Sequence, residues 1–305
     1  MNDAARESRL GAYAAFAAIC VIWGTTFAAI RVAIETIPTL LVGAVRFLIA
    51  GLLLLVIARL RGARFPQSRI EWRDQVIAGV LMAGAANTLV VYAEHELTSG
   101  LTALLAATIP IWMAAMEAVL GLSSLTPRKI AGLVLGFGGV ALLVAPAIGR
   151  LETSVGFFLA VGAMQLNAIF WNGGTLIARR HRATTDPMAA AVVQMLAGGT
   201  AVALVALAAG ERPTLEMFSV RSSIAVLYLA VLGSVVAYTA YNYAQTKLSA
   251  GKVSSYAYVN PAIAVLTGAL LLREPVTVRM IGSMVVILAG VALIQIDRSR
   301  AAGRS

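Results

Sequence analysis

Hydrophobic positions along this chain fall into long unbroken blocks. Windows free of charged side chains run Leu10–Ile30, Gln75–Ala93, Leu97–Met116, Ile130–Gly149, Thr153–Ala178, Pro187–Gly210, Ser222–Thr246, Val253–Leu272 and Met280–Ile296, and a tenth, Thr36–Ala58, is broken by Arg46 alone. About 20 mostly apolar residues cross the hydrocarbon of a bilayer, so the pattern predicts ten transmembrane helices. A membrane β-barrel does not fit, because no window alternates apolar and polar residues at a period of two. The first window follows Arg6 and Arg9 as a secretory signal would, but its apolar stretch is longer than a signal's core. It is read as helix 1.

Composition agrees. Of 305 residues, 60% are hydrophobic and 12% charged, with a mean hydropathy of +0.86. A water-soluble domain carries about 25% charged residues, so a soluble enzyme is not expected. The net charge of +10 is spread between the apolar blocks and forms no patch for nucleic acid. A single cysteine, Cys20, and two isolated histidines, His95 and His181, leave no material for a disulfide framework or metal centre, and no cofactor is expected. With the N-terminus inside, 17 of the 24 Lys and Arg lie on the side of the termini and 6 on the opposite side, with Arg46 inside the membrane. Basic loops favour the cytoplasm, so both termini are predicted to be cytoplasmic, in a bacterial-type inner membrane.

The chain also repeats itself. At an offset of 151, Thr88, Tyr92 and Ala93 match Thr239, Tyr243 and Ala244, Gly100 matches Gly251, Pro110 matches Pro261, Thr126 and Arg128 match Thr277 and Arg279, and Gly139-Val-Ala-Leu142 matches Gly290-Val-Ala-Leu293. Trp23 and Trp171 align at 148. Five spans per half is an odd number, so the second half enters the membrane from the opposite side. The expected architecture is all-α and integral to the membrane: ten transmembrane helices as two inverted five-helix repeats, residues 1–150 and 151–305, around a central cavity. Inverted repeats of this kind build alternating-access transporters, with the substrate near the midplane.

Several motifs resemble the drug/metabolite transporter superfamily in its ten-helix EamA-type branch. They are Trp23-Gly24, Arg46-Phe47-Leu48, Tyr92-Ala93 with Ser99-Gly100, Pro110, Pro261 and Arg273-Glu274-Pro275-Val276-Thr277. The last is similar to the family's Gly-Glu-Pro-Leu-Thr-like turn, with Arg273 in place of a small residue; Leu122-Ser123-Ser124-Leu125-Thr126 in the first half lacks the Glu-Pro. The resemblance implies export of small metabolites, and YddG-like members export amino acids, aromatic ones included.

Polar groups in hydrocarbon are costly and turn inward. In helix 8, Tyr238, Tyr241, Asn242 and Gln245 share one face. Helix 9 offers Tyr256, Tyr258 and Asn260; helix 3 offers Asn87, Thr88 and Tyr92, with His95 at its end; helix 6 offers Asn167, Trp171 and Thr175; helices 1 and 4 offer Trp23 and Trp112. Taken singly, each reads equally well as helix–helix hydrogen bonding or an interfacial aromatic belt. As a set they predict a substrate cavity. Pro110 and Pro261, each mid-helix, are either hinges that gate the halves or static bends. Arg46 is either a donor to a substrate carboxylate or a structural group on helix-end carbonyls. Glu117, near a helix end, is expected to snorkel or to pair with Arg128 or Lys129.

With no central carboxylate and one deep base, the expected solute is a neutral or zwitterionic metabolite with an apolar body, an aromatic or hydrophobic amino acid foremost. Facilitated export or exchange is preferred to proton coupling. The alternative is a multidrug or cation exporter of the same superfamily; a passive channel is a third reading. An intramembrane enzyme is disfavoured by the lack of His-Glu-x-x-His, Gly-x-Ser-x-Gly or a paired intramembrane Asp. The expected partners are the small-molecule substrate and membrane lipid. Oligomeric state is not legible, and a monomer is compatible with the sequence.

Overall fold

The structure is a computed structural model that describes residues 3–145, 154–181, 184–248 and 256–302; among the described residues it is helical, without strands. Ten helices follow the ten windows. They are α1 (Asp3–Ala33), α2 (Thr39–Leu60), α3 (Arg69–Ala93), α4 (Ser99–Val119), α5 (Pro127–Val144), α6 (Val155–Ala178), α7 (Pro187–Ala208), α8 (Val220–Ala230, Val231–Val236 and Ala237–Lys247), α9 (Tyr256–Leu272) and α10 (Val278–Ala302). Nine contain stretches long and apolar enough to cross a membrane, and α9 supplies a shorter apolar one, Tyr258–Leu272. The end predicted for helix 5 and the start predicted for helix 9 lie outside the described residues.

Local chemistry sets the boundaries. Ser68, Thr98, Thr126, Ser154, Ser219 and Thr277 each accept a hydrogen bond from the backbone N–H three residues on, which satisfies a donor the first helical turn leaves free. Gly62, Gly121 and Gly210 follow the ends of α2, α4 and α7 at φ of 63°, 69° and 84°, where a side chain would be strained.

The two halves match in structure as well as in sequence. The Ser68 and Ser219 caps, the Thr126 and Thr277 caps, and the wide π-helical turns starting at Val80 and Val231 all stand 151 residues apart. The starts of α2 and α7, and Gly62 and Gly210 beyond their ends, stand 148 apart. The change of offset falls in the link to the next helix, so the α7–α8 link is longer than the α2–α3 link by three residues. Packing repeats too: α2 lies on α7 and α5 on α10, while α1 packs on α8 and α9 as α6 packs on α3 and α4.

Contacts between helix ends show that the halves run in opposite directions. At the N-terminal end, where α1 begins, Arg64 after α2 pairs with Asp186 before α7, Asp74 early in α3 with His181 after α6, and Glu117 late in α4 with Arg179. At the distal end, where α1 finishes, Ser222 at the start of α8 donates to the Val32 carbonyl, and Ser154 before α6 donates to Glu96 after α3. The first helix thus ends where the sixth begins. Glu117, expected to snorkel or to pair with Arg128 or Lys129, has Arg179 3.6 Å away, just past the end of α6.

Glycine brings the paired helices together. A Cβ on Gly290 would lie 2.6 Å from the Gly132 carbonyl oxygen and 2.7 Å from the Gly136 nitrogen, and one on Gly198 would lie 2.6 Å from the Gly79 oxygen. Hydrocarbon gives apolar side chains no drive to associate, so close backbone packing through small residues carries the pairing. Large apolar side chains such as Leu60, Val134, Leu204 and Leu270 face outward, as lipid requires. Gly290→Val should cost about 1–3 kcal/mol of stability, the range for overpacking a tight core. Thermal unfolding of the purified protein in detergent checks this, and an unchanged Tm would contradict the α5–α10 seam.

Candidate functional site

Five helices, α1, α3, α4, α6 and α9, together with Arg46 of α2, enclose a cavity of about 220 Å³. Irregular helix geometry lies at the cavity or one layer behind it. In α3 and α8, a wide turn frees a carbonyl: Asn167 Nδ2 donates to Ala86 O at 2.8 Å and Trp23 Nε1 to Gly233 O at 3.1 Å. In α4 the helix stops at Ala106 and resumes at Ile109, with Pro110 in its first turn. Proline has no N–H for the ladder. Thr108 Oγ1 turns back to the Leu105 carbonyl at 2.6 Å, and Asn172 Nδ2 donates to Ile109 O at 2.8 Å. Pro261 sits inside α9 without ending it.

Of the residues singled out from sequence, Trp23, Arg46, Asn87, Asn167, Trp171, Tyr256, Asn260, Pro110 and Pro261 line this cavity. Tyr241 stands behind the wall, its ring 5.4 Å from Trp23, which also meets Tyr256 at 4.9 Å. The structure places the others elsewhere. Trp112 donates to Gln165 at 2.9 Å and meets Phe137 edge to face. Tyr238 donates to the Pro187 carbonyl at 3.0 Å. Tyr258 packs against a buried cluster of α4 and α10, Tyr92 is outside the cavity and partly exposed, and His95 is 2.8 Å from Thr39 Oγ1 at the distal end. The Asn242 side chain lies outside the described residues.

Sequence reasoning missed Thr26, Phe27 and Ile30, which line the cavity with Trp23. The signal was there: the four positions fall at i, i+3, i+4 and i+7, one helix face.

Within the cavity the polar groups are few and unspent. Arg46 is 7% exposed; its Nε donates to Ser234 Oγ at 3.2 Å, and its guanidinium carbon lies 4.9 Å from the Phe47 ring. Among the described residues it meets no carboxylate. The Oδ1 atoms of Asn87 and Asn167 are buried without a partner. Asn260, turned so that its amide nitrogen donates to the Cys20 and Tyr256 carbonyls at 3.2 and 3.0 Å, ties α1 to α9. No aspartate or glutamate lines the wall, and no described group of His, Cys, Asp or Glu is placed to hold a metal.

Polar contacts also bridge the helices at the distal end. Glu274, in the link between α9 and α10, accepts from Ser99 N at 2.9 Å and Ser99 Oγ at 2.7 Å, and Gly268 leaves room for its carboxylate. Arg31 donates to the Glu94 carbonyl. The Glu94 carboxyl is fully buried without a hydrogen-bond partner. Burial, and then the Glu274 charge, push its pKa well above the carboxylate range, with Arg31 partly opposing. Burial and Arg31 push His95 below the usual imidazole value. A carboxyl whose pKa is raised on folding loses stability as pH climbs from the unfolded pKa through the folded one. Glu94→Gln should therefore gain Tm over the parent at pH 8 and lose that advantage near pH 4. A Tm difference that stays constant across this range would contradict the burial.

A bundle of ten apolar helices, folded as two opposed repeats around a cavity with irregular walls, defines the class of membrane transporters. Comparison with known proteins makes the class specific. The EamA-like transporter family matches residues 10–145 and 158–296. The uncharacterized inner membrane transporter YedA of Escherichia coli K12 is 34% identical over 84% of this chain and 81% of its own length. The uncharacterized transporter YvbV of Bacillus subtilis is 24% identical over 90% and 88%. A solved crystal structure shares the fold at a TM-score of 0.66 and 17% identity, over 95% of this chain and 98% of its own. The chain belongs to the EamA-like transporter family.

Proposed function

We propose that this protein exports small neutral or zwitterionic metabolites, aromatic and hydrophobic amino acids foremost, across a bacterial-type inner membrane by alternating access. The observation that carries the reading is the cavity's set of polar groups. A guanidinium without a carboxylate partner shares an aromatic chamber with two amide oxygens that accept from nothing. Arg46 matches a substrate carboxylate, and the Asn87 and Asn167 oxygens match an ammonium. Trp23, Phe27, Trp171 and Tyr256 offer apolar faces to the side chain between them. A cavity of about 220 Å³ is smaller than the roughly 300–1,000 Å³ of drug-sized sites. That size, and a wall without carboxylates, favour this reading over a multidrug or cation exporter.

Residues 1–150 and 151–305 serve as the two opposed halves, with both termini in the cytoplasm as the basic loops indicate. The break before Pro110 in α4 and Pro261 within the continuous α9 are the hinges about which each half exchanges conformation with the other.

Reconstitution in liposomes tests the substrate. Labelled phenylalanine or leucine should show saturable flux and counterflow; the absence of either for every hydrophobic amino acid would refute the assignment, and flux without saturation would indicate a channel. Arg46→Gln should weaken binding roughly 10- to 100-fold, the worth of a hydrogen bond to a charged group, as read by the ligand-induced rise in Tm. An unchanged affinity would return Arg46 to a structural role. Pro110→Ala, by restoring the α4 ladder, should slow exchange more than it changes affinity.

A further inference from the structure

Glu94 has no part in the cavity, yet it is the least satisfied carboxyl described at either end of the bundle. It lies in the turn between α3 and α4, is wholly buried, and neither carboxyl oxygen has a hydrogen-bond partner. The charged and titratable groups around it are all engaged elsewhere. From α1, Arg31 reaches the Glu94 backbone carbonyl rather than its carboxyl. From the α9–α10 link, Glu274 is held by Ser99 and by Gly100 N at 3.4 Å. In its own turn, His95 is held by Thr39 of α2, and Glu96 accepts from Ser154 ahead of α6 at 3.2 Å.

An ionised carboxylate in that place is shut off from the surface, has no hydrogen-bond donor among the described residues and has the Glu274 charge beside it, which Arg31 offsets only in part. Something must neutralise it while this end is closed. A metal cation would need several oxygen ligands and would face Arg31. A proton needs no coordination shell.

We propose that Glu94 is a proton-binding site that latches the distal end, holding a proton on its carboxyl while α1, α3, α4 and α9 are together and releasing it to water when they part. On opening, the carboxyl O–H bond breaks and the proton passes to the water that enters. On closing, one proton is taken from the same side. Burial and Glu274 raise the proton affinity of the closed form; exposed, the group returns to an ordinary carboxylate with a pKa of about 4.3. Protons and closure are thus linked, each favouring the other. Because the proton enters and leaves at one end, acidity biases the conformation and no pH gradient is spent on the solute. The proposal rests on the alternating-access reading only in that the distal end must open.

The test uses a reporter at Leu97, 2% exposed beside Glu94, in the full-length protein in nanodiscs. The native thiol, Cys20, is buried. Leu97→Cys is labelled with a soluble maleimide from pH 5 to 9, in the parent and in a Glu94→Gln background. Taking the ratio of the two cancels the ionisation of the reporter thiol. Expected is a ratio that rises with pH by up to about tenfold per pH unit, since glutamine mimics the protonated latch. A ratio flat across the range overturns the proposal. If Glu94→Gln does not fold, Arg31→Gln replaces it. Losing that positive charge should move the midpoint of parent labelling to higher pH, and a midpoint that stays or falls overturns the latch. Labelling needs no substrate, so it stands apart from the transport reading, which counterflow decides separately.

Discussion

In hydrocarbon, no water stands ready to replace a missing backbone hydrogen bond, and each unsatisfied group costs several kcal/mol. That constraint determines where this bundle is irregular. The wide turns of α3 and α8, the break in α4 and the proline in α9 are faults that lipid would not tolerate. Here the α4 break and Pro261 line one chamber, and the two wide turns bond to Trp23 and Asn167 of its wall. Their loose carbonyls are taken up by Asn167, Trp23 and Asn172. The side chains that repair the backbone are largely those that shape the cavity, so its lining cannot be altered without touching the helices that hold it.

The same constraint explains the close pairing of α5 with α10 and of α3 with α7. With no water to expel between helices, contact distance decides association, and glycines at 79, 132, 136, 198 and 290 let the backbones meet. These seams join one half to the other. Large apolar side chains then coat the lipid face, where they contribute little to specificity.

Much of this was legible in the sequence because both governing patterns are coarse. An uncharged window is a span whatever its neighbours, and a register shared by Tyr, Pro, Thr and Gly is a repeat whatever it folds into. The cavity was legible only in part. Trp23, Asn87 and Asn167 are polar or aromatic groups at mid-span and could be found by cost alone. Tyr238 and Trp112 look the same in sequence, yet they bond to Pro187 and Gln165 on neighbouring helices, and nothing local distinguishes the two outcomes. The wide turns contain no proline and carry no signal of their own. Glu94 sits beside a histidine and a second glutamate, so it reads as one member of a solvated turn; only the arrival of α1 and the α9–α10 link over it makes it buried.

The repeat also shows where the halves are unequal. Shifting the distal closure by the repeat offset carries Arg31 to Arg179 but Glu94 to Gln245, Ser99 to Ala250 and Glu274 to Ser123. The arginine survives the operation and the acids do not. If the two halves trade conformations, the N-terminal end must close on different groups: its buried carboxylates are already partnered, Asp74 by Arg73 and His181 and Glu71 by Gln67 and Thr185. The closures are then chemically different, and their energies have no reason to be equal. Two inverted halves supply two shapes of nearly the same packing, while residues at the ends, outside the symmetry, decide which is populated. In this chain Arg31, Glu94, Ser99 and Glu274, the groups of the proposed latch, lie at one end of the bundle and away from the cavity.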